Sequence, residues 1–326
     1  MMSAPSKSED TKERLVARVG GETLVIAARR LSLWYGQVIG INDITIDIGN
    51  GVIGLLGPNG AGKSTLMKVL TGQLQPSTGA VSIFGQRVWN NAELFARVGF
   101  VPEQDAFYEE MTGRAFVTYL TRLQGFGKAD AARLADAAIE EVDLVGDRDR
   151  KIEEYSKGMR QRIKIAQALA HKPDLLFMDE PLNGTDPVGR RHIIDLIRRF
   201  GEGNRTVIVS SHILHEVEQM TSDILLVNKG RVVADGNIYR IREMIDEHPH
   251  TIFVDCSEPR RFAAMFAAFA DVVRIEFTEA GFALATTEPD ACYSRIPALA
   301  IEHGIVVRRM TSPDNNLMAV FNYLVR

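Results

Sequence analysis

Apolar residues follow two alternating rhythms along the chain. Around residues 24–48, LVIAARRLSLWYG and DITIDI cluster or alternate β-branched and aromatic residues, the pattern of strands. GVIGLLG, residues 51–57, is a short apolar run ending in glycine and predicts a buried strand. Lys63 to Leu74 then reads as a helix. Two helical patterns cover 115–142, broken at Gly125–Gly127, and another spans Arg160 to Ala170. Pro173 separates that helix from an apolar strand after Asp174. Helix Arg190–Phe200 sets Ile193, Ile194, Ile197 and Phe200 on one face and leads to the strand TVIVSS, 206–211. Strands alternating with helices predict an α/β layer architecture with a mainly parallel core sheet.

The rhythm changes after about residue 250. TIFVDC reads as a strand and PRRFAAMFAAF as a helix, while VVRIEF and GFALATT flank a Glu279–Gly281 turn. ACYSRIPALAIEHG is helical, IVVRRM is a strand and DNNLMAVFNYLV is a terminal helix. The order β-α-β-β-α-β is the split arrangement of ferredoxin-like domains, here a small α+β unit. Residues 1–20 contain too few large apolar side chains to bury and read as a flexible tail. The expected division is therefore a tail over 1–20, a main domain over 21–245 and an accessory domain over 246–326.

Composition narrows the class. A 326-residue chain with 45% hydrophobic and 25% charged residues is ordinary globular material. A net charge of −4 argues against a strongly basic nucleic-acid binder and against an acidic tail. The longest unbroken apolar run, Phe262 to Ala270, falls far short of the about 20 residues of a membrane helix. The polar start MMSAPSKSEDTKER lacks a signal-peptide core, which argues against secretion. Cys256 and Cys292 cannot build a disulfide framework or a four-cysteine metal site and read as buried structural residues.

The chemistry comes from two motifs. GPNGAGKS, Gly57 to Ser64, fits GxxxxGK[ST] between a buried strand and a helix. Its glycines permit a tight loop whose backbone N–H groups point at phosphate oxygens, and Lys63 adds a point charge for the β and γ phosphates. The helix that begins there contributes the positive end of its dipole. Ser64 can place its hydroxyl on Mg²⁺. The second motif is DLLFMDEP, 174–181, an apolar strand with Asp179 at its C-terminal end, able to hold Mg²⁺ or its water. Glu180 can act as base or orienter for an attacking water. His212 follows TVIVSS beside the same sheet edge.

These motifs are joined by YSKGMRQR, 155–162, ahead of the aspartate. The set resembles the ATP-binding cassette (ABC) ATPases, specifically the ATPase subunits of type-2 ABC transporters, which include bacterial multidrug and bacitracin-resistance exporters. The resemblance covers roughly residues 22–240. It implies a P-loop NTPase cassette with a helical subdomain, binding ATP and Mg²⁺. In that light Tyr35 matches the aromatic that stacks on adenine. Gly57, Pro58, Asn59, Gly60, Ala61, Gly62, Lys63, Ser64 and Thr65 bind the nucleotide, with Ser64 and Asp179 on the metal. Ser156 and Gly158 match signature positions that contact the γ-phosphate of ATP held by a partner subunit. Asp186 matches the loop linking the two sites, and His212 the switch histidine that senses the γ-phosphate.

The chain departs from the general pattern at three places. The signature has Lys157 and Met159 for a glycine and a glutamine, a variant that looks like those of type-2 transporter ATPases. The usual GLD or ALD loop reads Gly184-Thr185-Asp186. In VGFVPEQ, Glu103 stands where the family commonly has Gln, with Gln104 one step later, and either can approach Mg²⁺ and the water.

The resemblance implies a head-to-tail dimer with a second copy of itself or a paralogous ATPase, closed by two ATP molecules and reopened by hydrolysis. It also implies a separate integral-membrane permease, a location on the cytoplasmic face of the cell membrane, and no nucleic-acid partner. The segment DAFYEEMT, 105–112, with Phe107 and Tyr108, is the expected docking surface for the permease. A competing reading is a soluble ABC ATPase with a regulatory or mechanical role. The double cassette of translation-factor relatives and the coiled coil of DNA-repair relatives are both missing from the sequence.

Overall fold

In the computed structural model, residues 18–19, 22–238, 241, 249–279 and 281–312 are described. Most of the expected tail, the stretch 242–248 and the expected terminal helix lie outside them. Two compact units are present, Met1–Asp235 and Gly236–Arg326.

The first unit begins with a short antiparallel pair, β1 (Arg18–Val19) and β2 (Glu22–Thr23). β3 (Ile26–Tyr35) and β4 (Val38–Ile48) form a long antiparallel ribbon. After β5 (Gly51–Leu56) and helix α1 (Lys63–Leu70) come β6 (Thr78–Ile83) and β7 (Gln86–Arg87), which complete an antiparallel sheet of order β4-β3-β6-β7. Helix α2 (Ala92–Phe95) leads to β8 (Val98–Val101). Three helices follow, α3 (Gly113–Leu123), α4 (Lys128–Glu141) and α5 (Lys157–Leu169), packed on one another as a helical subdomain. The chain then alternates through β9 (Leu175–Met178), α6 (Pro187–Phe200), β10 (Thr206–Ser211), α7 (Leu214–Glu218), β11 (Asp223–Asn228) and β12 (Arg231–Asn237).

The core sheet has order β12-β11-β5-β10-β9-β8, with β11, β5, β10, β9 and β8 mutually parallel. Strands covered on both faces become continuous apolar runs, and every residue of β9 and β10 is buried. Leu66, Met67, Val69 and Leu70 of α1 share one buried cluster with Ile26, Ile44 and Ile83 of the antiparallel sheet and Leu55, Phe177 and Ile208 of the parallel one. Helix α1 is thus fixed by apolar contact with both sheets, and so is the loop that precedes it.

Three helix ends differ from the apolar period. α1 stops at Leu70 rather than Leu74, because Gly72 turns the chain with φ +67. α5 starts at Lys157 rather than Arg160, because Ser156 Oγ accepts from the Met159 N–H. α6 starts at Pro187 rather than Arg190, with Asp186 capping and proline in the first turn.

The second unit runs β13 (His250–Cys256), α8 (Pro259–Phe266), β14 (Val272–Phe277), β15 (Gly281–Thr286), α9 (Pro289–His303) and β16 (Val307–Thr311). Its antiparallel sheet has order β14-β15-β13-β16, the split β-α-β arrangement expected of the sequence. Phe262, Phe266 and Phe282 stack edge to face at 5.2 and 5.8 Å in its core. Cys256 and Cys292 are free and buried there. Burial pushes the Cys292 thiol up to about 11, so it stays protonated and inert at neutral pH.

Candidate active site

Parallel strands deliver their C-terminal ends to one edge of the sheet, and β5, β10, β9 and β8 stand side by side there. The loop 57–62 leaves β5, His212 follows β10, Asp179 and Glu180 follow β9, and Glu103 and Gln104 follow β8.

The loop is built tightly. A Cβ on Gly62, where φ is +108, would sit 2.7 Å from the Gly40 carbonyl oxygen. Glycine is therefore required by space as well as by backbone angle. Gly62 precedes α1 without any side-chain cap, so the first-turn amides beside Ser64 and Thr65 are not capped by a side chain. An anion is the natural complement of such an end. The Lys63 side chain is buried and curls back along the loop. Its Nζ donates to the carbonyls of Gly57 at 2.8 Å and Pro58 at 3.3 Å, and lies 3.8 Å from Glu180 Oε1.

Tyr35 closes β3 next to this helix. Its hydroxyl is 3.5 Å from Thr65 Oγ1, and its ring lies against Gly40, yet the residue is 49% exposed. An exposed aromatic face one helical turn from a phosphate loop suits the flat surface of a base.

Asp179 and Glu180 are buried and braced by one hydroxyl. Ser210 Oγ donates to Asp179 Oδ1 at 2.6 Å and accepts from the Glu180 N–H at 2.8 Å. The Asp179 N–H donates to the Val101 carbonyl on β8 at 2.9 Å. Glu180 adopts φ +49, a strained angle for a non-glycine residue that persists only where surroundings enforce it. Its carboxylate faces His212, whose Nδ1 is 3.0 Å from Oε2 and 3.1 Å from Oε1. Burial raises the Glu180 carboxyl above the ordinary carboxylate range, while His212 and Lys63 pull it partly back. A carboxylate tuned upward is a stronger base when ionised.

The structure therefore brings Lys63, Glu180 and His212 into one chain of contacts, with Asp179 held beside them. Ser156, Gly158 and Asp186 stand apart: among the described residues, no hydrogen bond or ion pair joins them to 57–65. Ser156 and Asp186 are exposed N-caps, and a Cβ on Gly158 would meet nothing within 4 Å. The signature and the 184–186 loop are neighbours, since a Cβ on Gly184 would lie 3.5 Å from Lys157 Cδ. Glu103 and Gln104 are both exposed.

Among the described residues no group of three metal-ligating side chains occurs. One carboxylate, Asp179, and one hydroxyl, Ser64, suit Mg²⁺ that is shared with nucleotide phosphates rather than caged by protein. Two contributors were missed by motif reading. Ser210 is a serine in an apolar strand, and a polar residue where every neighbour is buried signals a bonding partner. Lys164, a lysine on the apolar face of α5, carries the same signal.

Residues 41–183 match the family model described as ABC transporter. The chain is 31% identical over 304 residues to a bacitracin transport ATP-binding protein of Enterococcus faecalis, covering 92% of this chain and 96% of that one. It is 34% identical over 214 residues to a linearmycin resistance ATP-binding protein of Bacillus subtilis, covering 65% and 69%. Among solved structures, an ATP-binding subunit of an ABC transporter superposes with a TM-score of 0.62 at 28% identity, covering 68% of this chain and 93% of that one.

Proposed function

The chain belongs to the ABC transporter family as an ATP-binding ATPase subunit, and from that premise we propose that it energises a separate membrane permease of the exporter class. The observation that carries this reading is the Lys63–Glu180–His212 constellation at the edge where four parallel strands end.

In this proposal the uncapped start of α1 and the loop amides hold the phosphates, Lys63 leaves its loop carbonyls for the β and γ oxygens, and Tyr35 covers the adenine. Ser64 and Asp179 hold Mg²⁺, which neutralises phosphate charge when bound. Glu180 orients a water at the γ-phosphorus and takes its proton. The new P–O bond forms as the bond to ADP breaks, and ADP leaves with the displaced electron pair. His212, its Nδ1–H donated to Glu180, keeps that carboxylate aimed and senses the γ-phosphate.

Ser156 is exposed, Gly158 is half-buried with open space where a Cβ would stand, and neither hydrogen-bonds to the chain's own loop 57–65, which supports their use on ATP held by a second cassette, with Asp186 between the two sites. Two ATP molecules then close a head-to-tail dimer, a population shift driven by the ligand's preference for the closed state. No helix among the described residues is long and apolar enough to cross a membrane. We assign the work to a permease at the cytoplasmic face of the cell membrane. The docking site we assign is a groove of about 720 Å³ lined by Phe95, Phe100, Phe107, Phe116, Leu120 and Leu123, with the exposed Tyr108 beside Phe116. An apolar groove with an aromatic rim suits a short helix from such a partner. The unit after Asp235 is an accessory domain for dimer contact or regulation.

The test is affinity capture of the tagged full chain from detergent-solubilised membranes of its host. Recovery of a polytopic membrane protein, reduced when Tyr108 and Phe107 are both changed to Ser, is the expected result. Capture of ribosomes or nucleic acid alone would overturn the transporter reading.

A further inference from the structure

Two cations on α5 grip the loop that follows β8. Arg160 and Lys164 are four residues apart and so share one helix face, and that face meets residues 102–109. Arg160 takes Glu109 with both arms, Nη1 to Oε1 and Nη2 to Oε2, each at 2.7 Å. Its guanidinium also lies 5.5 Å from the Phe107 ring centre and 3.9 Å from Asp105. Lys164 is only 5% exposed. Its Nζ donates to the carbonyls of Pro102 and Glu103, both at 3.1 Å, and pairs with Asp105 Oδ1 at 2.9 Å.

A buried ammonium gives up hydration that only well-placed oxygens replace, so three oxygens around Lys164 define one position of the loop rather than many. The bidentate pair at Arg160 fixes orientation as well as distance. The same helix begins at Ser156, whose hydroxyl caps it.

We propose that Arg160 and Lys164 are positioning residues that latch loop 102–109 to the signature helix, so that the loop facing a chain's own nucleotide and the signature facing its partner's move as one body. The inference rests on the two-chain site of the preceding subsection. ATP in one site would set the loop, the loop would set α5, and α5 would present Ser156 and Gly158 to the other ATP. The latch thereby couples the two sites, and binding at one favours closure at the other.

The test is the ATP-concentration dependence of turnover in the full-length protein, with melting temperature and binding of a fluorescent ATP analogue measured on the same samples. Wild type is expected to give a Hill slope approaching about 2, the number of sites, and Lys164→Met a slope near about 1 with analogue affinity within about twofold. Asp105→Asn keeps the lysine and is expected to lower the slope in the same direction, which secures the answer if Lys164→Met folds poorly. A merely structural lysine would reduce the folded fraction and the maximal rate but leave the slope unchanged. A cooperative wild type with unaltered slopes in both variants would overturn the latch alone. A wild type with slope about 1 would refute the two-chain site, and the latch with it.

Discussion

Removing one hydroxyl, in Ser210→Ala, should disturb both members of the acidic pair without touching a ligand. Ser210 is fully buried, donates to Asp179 Oδ1 and accepts from the Glu180 N–H. A hydrogen bond to a charged group contributes about 1.5–3 kcal/mol, and a buried amide left unpaired costs about 1–3 kcal/mol. Alanine deletes the first and creates the second, so destabilisation of about 2.5–6 kcal/mol is expected, a large share of the stability of an ordinary domain. Turnover should fall roughly 10- to 100-fold, because reacting groups displaced by even 1 Å lose that much. Urea unfolding and steady-state ATP hydrolysis on one preparation supply both numbers. Thr206→Val is the control: it lies at the other end of the same buried strand and donates to the Gly49 carbonyl, away from the pair. It should cost stability and leave kcat within about twofold. If Ser210→Ala shifts stability by under about 1 kcal/mol and leaves kcat unchanged, the serine does not brace the pair.

Gly62→Ala would force a methyl to 2.7 Å from the Gly40 carbonyl oxygen at φ +108. Affinity for a fluorescent ATP analogue should drop at least about tenfold, and wild-type affinity would contradict the loop geometry assigned to phosphate binding. Glu180 supplies a pH test. Its folded-state pKa lies above the unfolded value, so the folded chain binds this proton more tightly. The favourable contribution is complete below the unfolded pKa, near about 4.3, and is lost as pH rises through the folded one. Glu180→Gln should therefore melt higher than wild type at neutral pH, with the gap closing as pH falls towards that value. A gap independent of pH would show that ionisation of Glu180 is not what costs stability.

Much of this site was legible because its parts are local. A glycine loop between an apolar strand and a helix, and two acids closing an apolar strand, need no knowledge of distant packing to be placed at one sheet edge. The helix starts were less legible. The first turns of α5 and α6, KGM and PVG, carry little apolar periodicity, so the period begins at Arg160 and Arg190 while the caps Ser156 and Asp186 start the backbone earlier. Braces were the least legible. Ser210 reaches Asp179 and Glu180 from about 30 residues away and Lys164 reaches Pro102 from about 60, across strands or from helix to loop. Sequence marks such residues only as polar side chains in apolar surroundings, and their partners are fixed by tertiary register alone.

Glu180 is proposed to drive hydrolysis in a site shared by two cassettes. The direct measurement is the oligomeric state and turnover of Glu180→Gln with Mg·ATP, by light scattering coupled to size exclusion and by phosphate release. That role requires retained ATP binding, turnover reduced by at least about 100-fold, and accumulation of an ATP-dependent dimer that wild type forms only transiently. Turnover at the wild-type rate, or a variant that binds ATP and remains monomeric throughout, would contradict it.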